Sequence, residues 1–146
     1  MSKLERFSKR LRAVSEEEIK SEVLRIIKRN RARVIELNQN QLLFEGKDSN
    51  GVKLQPYASE WYENYKILLN PAGVVDLRVT GKFYNNFFVK ADSFPIIVDS
   101  KDSKRDDLVE KYGESIFGLD EESRKIFTDE VLTKEIIDYV RNILQL

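Results

Sequence analysis

The chain has 146 residues, of which 41% are hydrophobic and 34% charged, and its 25 Lys plus Arg balance 25 Asp plus Glu, a composition suited to one domain with one core. Cysteine and histidine are both absent, which excludes disulfides, thiolate nucleophiles, Cys/His zinc sites, haem ligation by either residue and every His-based triad. No apolar run approaches the roughly 18 residues needed to span a bilayer, and Met1 to Arg6 leads into alternating charges rather than a signal-peptide stretch, so a soluble, intracellular protein without membrane contact is expected.

Leu4, Phe7 and Leu11 recur at i, i+3 and i+7, predicting a short amphipathic helix that ends before Ser15. Ser15-Glu16-Glu17-Glu18 has the form of a capping box, and its carboxylates suit the positive end of a helix dipole. From there Ile19, Val23, Ile26, Ile27, Val34 and Leu37 share one face of a single long helix running to about residue 41. Asn30 falls in the middle of that stripe, where it either bonds a neighbour in the core or sets register at a helix–helix contact. Arg25, Arg29 and Arg33 follow at i, i+4 and i+8 away from the stripe, a spacing that repels unless something anionic sits opposite.

Leu42-Leu43-Phe44 reads as a strand or a continuation of the helix, and Gly46 to Gly51 as a turn in which Asn50-Gly51 supplies positive φ. Asp48 and Asn50 resemble the opening of a calcium loop, but the third ligand and the closing Glu are missing, which favours a plain turn. Residues 59–69 predict a short helix with Trp61, Tyr65, Leu68 and Leu69 on one side, stopped by Asn70-Pro71-Ala72-Gly73. A second short helix from Thr80 would bury Phe83, Tyr84 and Phe87. The arms of a β-hairpin are expected at Phe88-Val89-Lys90 and at residues 94–98 around Ala91-Asp92-Ser93, with Pro95 keeping the second arm near an edge. Ser103 is placed to cap a helix over residues 104–112 that Gly113 ends, and Ile116-Phe117-Gly118-Leu119 forms an apolar loop. Asp120 or Glu121 opens a short helix, and a last helix from about Thr133 would bury Ile136, Ile137, Val140, Ile143 and Leu144. The expected fold class is α+β in a single domain: a helical arm over 1–41 with a long amphipathic helix, an α+β core over 42–119 around a small antiparallel element, and a helical C-terminal tail over 120–146.

The zero net charge hides a gradient: +5 over residues 1–41, +1 over 42–91 and −6 over 92–146. The two ends can pair within the fold, can favour head-to-tail contacts between copies, or can set a basic patch toward DNA. Asp99, Asp102, Asp106, Asp107 and Glu110 are the densest carboxylates, and Asp102, Asp106 and Glu110 share a face only if their helix begins early. Such groups can hold magnesium or act as acid and base, yet Lys101, Lys104, Arg105 and Lys111 alternate with them, the pattern of a solvated helix. Neither Gly46 and Gly51 nor Gly113 and Gly118 is followed by the Lys-Ser/Thr of a phosphate loop. Arg10, Arg12, Arg25, Arg29, Arg31 and Arg33 could neutralise phosphates, and Tyr57, Trp61, Tyr62 and Tyr65 could stack on bases. No helix-turn-helix spacing, RNP-like strand or basic zipper accompanies them.

The order of motifs from residue 42 to about 119 is more specific. Asp48-Ser49-Asn50-Gly51 is followed by Leu54 and Tyr57, then by Leu77, Thr80, Gly81 and Phe83, then by a strand pair and by Tyr112, Ile116, Phe117 and Gly118. This order resembles the neck and tail-completion group among the small morphogenesis proteins of tailed bacteriophages. Residues 71–78 through Thr80-Gly81 also look like phage and prophage proteins of Bacteroidetes. Leu54-Gln55-Pro56 stands where that group has Trp-x-Pro, and the last loop lacks its His. The resemblance implies a structural virion component of the head–tail connector, assembled in the bacterial cytoplasm, without enzymatic activity or cofactor. Its implied partners are copies of itself in a ring, the portal or other neck proteins, tail proteins and, non-specifically, packaged DNA. On this reading Arg25, Arg29 and Arg33 face an acidic neighbour or the DNA-carrying lumen, and Asp102, Asp106 and Glu110 form the matching acidic surface. The alternative is a nucleic-acid- or protein-binding module of a mobile element.

Overall fold

The computed structural model describes residues 2–54, 77 and 82–145. Three helices come first, α1 (Lys3–Ala13), α2 (Glu16–Arg29) and α3 (Arg31–Phe44). Then follow a one-turn helix α4 (Lys82–Asn85), the strands β1 (Phe87–Lys90) and β2 (Ile97–Ser100), and α5 (Arg105–Tyr112). A 3-10 turn (Glu114–Ile116) leads to α6 (Glu121–Phe127), a π turn (Thr128–Leu132) and α7 (Thr133–Leu144). The α+β class is as expected. The expected helix over 59–69, its stop at residues 70–73, and Tyr57, Trp61, Tyr62, Tyr65, Thr80 and Gly81 lie outside the described residues.

Each helix start has a local cause. Ser2 and Glu5 exchange both bonds of a capping box at α1, and Ser15 Oγ accepts the Glu18 N–H at 3.1 Å to open α2. The single long helix expected from Ser15 is two helices, because Asn30 interrupts it at φ −108°, ψ 24°. Its backbone N–H reaches the carbonyls of Ile26 and Ile27, and its side-chain Nδ2 donates to Ile26 O at 2.8 Å and to the Glu135 carboxylate. A side chain that bonds its own preceding turn competes with the helical ladder, and an anion from the far end of the chain holds it there. Leu42-Leu43-Phe44 continues α3, so the boundary drawn at residue 41 falls inside a helix.

The hairpin is antiparallel, pairing Phe87 with Ser100, Phe88 with Asp99, Val89 with Val98 and Lys90 with Ile97. Its second arm starts later than the apolar run suggested: residues 94–96 belong to the connection, where Pro95, which has no N–H for a ladder, costs nothing. Ser103 is not the cap of α5: Lys104 holds the N-cap position and no side chain caps the helix. Asp102 instead makes a turn ahead of it, its carboxylate accepting the Lys104 N–H at 3.2 Å and its carbonyl the Arg105 N–H at 3.1 Å. Gly113 ends α5 at φ 89° as expected.

Two helices expected at the C-terminus form one continuous rod, since Phe127, Thr128, Leu132 and Thr133 all keep right-handed helical angles through the π turn. The wider turn offsets the faces of α6 and α7 by one residue, placing Val131 and Leu132 against the core. That core gathers Val34, Leu37 and Leu42 of α3, Leu77, Phe83 and Tyr84, both strands through Phe87 and Val98, Ile116, and Phe127 of α6. Its aromatic centre is Phe83, 5.0 Å from Phe87 and edge-on to Phe117 at 5.8 Å. Ile26, Leu42 and Ile116 are wholly buried, each contributing about 1.5–3 kcal/mol by leaving water. The predicted inner face of α7 is only half covered: none of its residues is fully buried, and Ile137 is exposed.

Candidate functional site

Two polar systems tie the chain together. In the first, α3 presents Asn38 and Gln41 at i and i+3 toward the loop before α6, both fully desolvated. Asn38 Nδ2 donates to Ile116 O at 3.0 Å while its Oδ1 accepts the Gly118 N–H at 2.8 Å. Gln41 Nε2 donates to Gly118 O at 3.1 Å and its Oε1 accepts the Asp120 N–H at 2.8 Å. Asp120 in turn caps α6 by accepting the Ser123 N–H at 2.8 Å. Asp48 adds a second anchor: its Oδ1 accepts the N–H groups of Asn50 and Val52 and its Oδ2 the Ser115 hydroxyl at 2.9 Å. The calcium-like opening is thus a turn whose carboxylate is spent on backbone and hydroxyl donors, with Lys47 bridged to Lys53 behind it. Among the described residues no buried side-chain polar atom lacks a partner.

The second system answers the question left by the arginine spacing. Arg29 contacts Glu135 at 3.1 Å, and Arg33 contacts Glu130 at 2.8 Å and Glu36 at 3.0 Å. Arg25 pairs with Glu22 on its own helix at 2.8 Å. The anions opposite Arg29 and Arg33 therefore come from the C-terminal rod of the same chain, which is how part of the charge gradient is matched. Hydrogen bonds donated to Glu130, then to Glu36, raise the Arg33 pKa above its already high ordinary value. Lys28 reaches Asp92 of the hairpin connection at 3.0 Å.

The acidic candidates are not brought together on one face. Asp102 lies in the turn before α5, whereas Asp106 and Glu110 lie within it at i and i+4. Arg105 dominates this region. Its Nε and Nη2 grip Asp99 of β2 at 2.8 and 3.3 Å, its Nη1 holds Asp106 at 2.9 Å, and its guanidinium stands 5.7 Å from the Phe117 ring centre. The Asp99 bonds first, and then Asp106, push its pKa further up. Asp107 and Glu110 stay exposed and unpaired among the described residues. No group of three or more carboxylates that could hold a metal ion occurs among the described residues.

Reasoning from sequence missed the surfaces that are most incompletely covered. Leu4 is 77% exposed and Leu11 49%, so the apolar stripe of α1 faces outward. Arg6 and Arg12 stand to either side of it and Lys9 behind it, with no ion pair among the described residues. At the other end of the rod, Leu37, Asn40, Phe44 and Glu45 of α3 and its end meet Glu122 and Ile126 of α6 in a groove, and Phe44 is 59% exposed. The signal was present in both cases: an apolar triplet at helical spacing with no predicted element to cover it, and a Phe at i+7 from Leu37. No helix of the described residues is long and apolar enough to cross a membrane. No protein-family model, curated protein or solved structure matches the chain.

Proposed function

We propose that this protein is a structural assembly subunit of a tailed-phage virion, a ring-forming component of the head–tail connector that works by binding copies of itself and its neck and tail neighbours. The observation that carries the reading is the uncovered apolar surface of the helical ends: Leu4, Leu11, Ile19 and Ile137 are all about half exposed or more. Apolar side chains left in water along consecutive helices mark a surface completed by another molecule. The motif order around Asp48-Ser49-Asn50-Gly51 and Leu77 supports the connector assignment. The buried clamp of Asn38 and Gln41 gives a rigid body on which such faces can be presented.

Native mass spectrometry with electron microscopy of the purified protein tests this reading. Closed oligomers of one size, or their appearance with portal or tail proteins, are the expected result; a monomer indifferent to both would contradict it. A second reading, a nucleic-acid-binding module of a mobile element, is favoured by Arg6, Lys9 and Arg12, which have no ion pair among the described residues. It predicts duplex binding that weakens steeply with salt, a behaviour the assembly reading does not require.

A further inference from the structure

We infer that α1 of one copy docks into the groove between α3 and α6 of the next, making a heterologous, head-to-tail interface. The inference rests on the assembly reading above and names its contact. On the donor side Leu4 and Leu11 stand on one face of α1, seven residues and so about 10 Å apart along the helix. On the acceptor side the exposed Phe44 at the end of α3 faces Ile126 of α6 across a groove whose lining includes the buried Leu37 and Arg33, the latter already paired with Glu130 and Glu36. The exposed leucines of α1 thus have a half-apolar groove to enter, the arrangement in which an amphipathic helix is read by a partner.

The charges are complementary as well. Arg6 and Arg12 stand to either side of the apolar face of α1 with Lys9 behind it, while Glu45 and Glu122 border the groove, and none of these five has an ion-pair partner among the described residues. An acidic, half-apolar groove suits a basic, half-apolar helix better than a nucleic acid would, because a phosphate backbone gives Leu4 and Leu11 nothing to pack against. The two surfaces cannot meet within one chain. Arg10 of α1 donates to Leu144 O at the end of α7, whereas Glu122 lies in the first turn of α6, about 33 Å of helix away. A donor at one end and an acceptor at the other make a contact that either closes into a ring or grows. The basic surface assigned here is α1, since Arg29 and Arg33 are already matched by Glu135 and Glu130.

Complementation between two defective variants tests the interface. Leu4→Asp with Leu11→Asp removes the donor and leaves the groove; Phe44→Asp removes the groove and leaves the donor. All three positions are exposed, so both variants keep the fold, which circular dichroism checks. Each alone should self-associate at least tenfold more weakly than the unmodified chain in sedimentation velocity. An equimolar mixture should form a complex of two chains and nothing larger, because the one intact donor fills the one intact groove. Variants that assemble like the parent would overturn the interface while leaving the assembly reading standing. A parent that stays monomeric at every concentration would overturn the interface, one that also stays monomeric with portal and tail proteins would overturn the assembly reading too, and one that is monomeric but binds anionic vesicles or duplex DNA through α1 would assign that helix to another partner.

Discussion

Gln41 and Asp120 are joined by a buried hydrogen bond of 2.8 Å from the Asp120 N–H to the Gln41 Oε1. Through it α3 fixes the point at which the C-terminal rod begins, because the Asp120 carboxylate caps α6. Removing the amide leaves the Asp120 N–H and the Gly118 carbonyl without partners in a desolvated site. Gln41→Ala is therefore expected to cost about 2–3 kcal/mol in urea unfolding, and Asn38→Ala a similar amount. Gln39, whose amide reaches Tyr84 O from a half-buried position, should cost less when truncated, about 1 kcal/mol.

Gly118 and Gly51 both have positive φ, at 107° and 75°, but their surroundings differ. A Cβ on Gly118 would lie 3.4 Å from Ser49 Cβ, whereas one on Gly51 would meet nothing within 4 Å. Gly51→Ala should cost about 1 kcal/mol for the left-handed backbone alone. Gly118→Ala should cost more, by thermal denaturation of the two variants side by side. Equal losses would mean that Ser49 gives way freely.

The charged seam between the N-terminal helices and the rod is exposed enough for its worth to be small and salt-sensitive. A double-mutant cycle on Arg33→Ala and Glu130→Ala should return a coupling of about 0.5–1 kcal/mol at low salt, shrinking as salt is raised. Asn30→Ala should matter in a different way. It removes the bonds to Ile26 O and Glu135 and restores helix propensity at the break, so the loss should stay below about 1 kcal/mol.

Core truncations separate folding from assembly. Ile26→Ala and Ile116→Ala empty wholly buried sites and should each cost about 2–5 kcal/mol in unfolding. Leu11→Ala, at a position 49% exposed, should change monomer stability by no more than about 0.5 kcal/mol while weakening self-association. Unfolding and sedimentation on the same samples distinguish the two effects.

What the sequence made legible was whatever depends on neighbours in the chain. Ser15 announced α2, Gly113 the end of α5, and Phe83 and Tyr84 a short buried helix, because caps, φ constraints and apolar spacing act over a few residues; Phe87, expected in that helix, opens β1 instead. The break at Asn30 was hidden because the apolar period continues across it from Ile27 to Val34, and the anion that stabilises it lies 105 residues further on. The continuity of the rod was hidden for the opposite reason. The pairs Ile126-Phe127 and Val131-Leu132 stand five residues apart, the period of a π turn, and a helical stripe read at 3.6 residues stops there. Asn38 and Gln41 could not be singled out from the sequence, since their carbonyl partners are 78 and 77 residues away. Arg25, Arg29 and Arg33 repel at their spacing unless an anion sits opposite, but spacing alone could not say that Glu22, Glu135 and Glu130 of the same chain pair with them.

Self-association is the central claim, and the mass of the unmodified protein in solution tests it most directly. Sedimentation velocity over a wide concentration range at low and high salt should show mass rising above the 17.1 kDa monomer as concentration increases, less so at high salt where the Arg6, Lys9 and Arg12 contacts are screened. A single monomeric species at every concentration and both salt levels would contradict it.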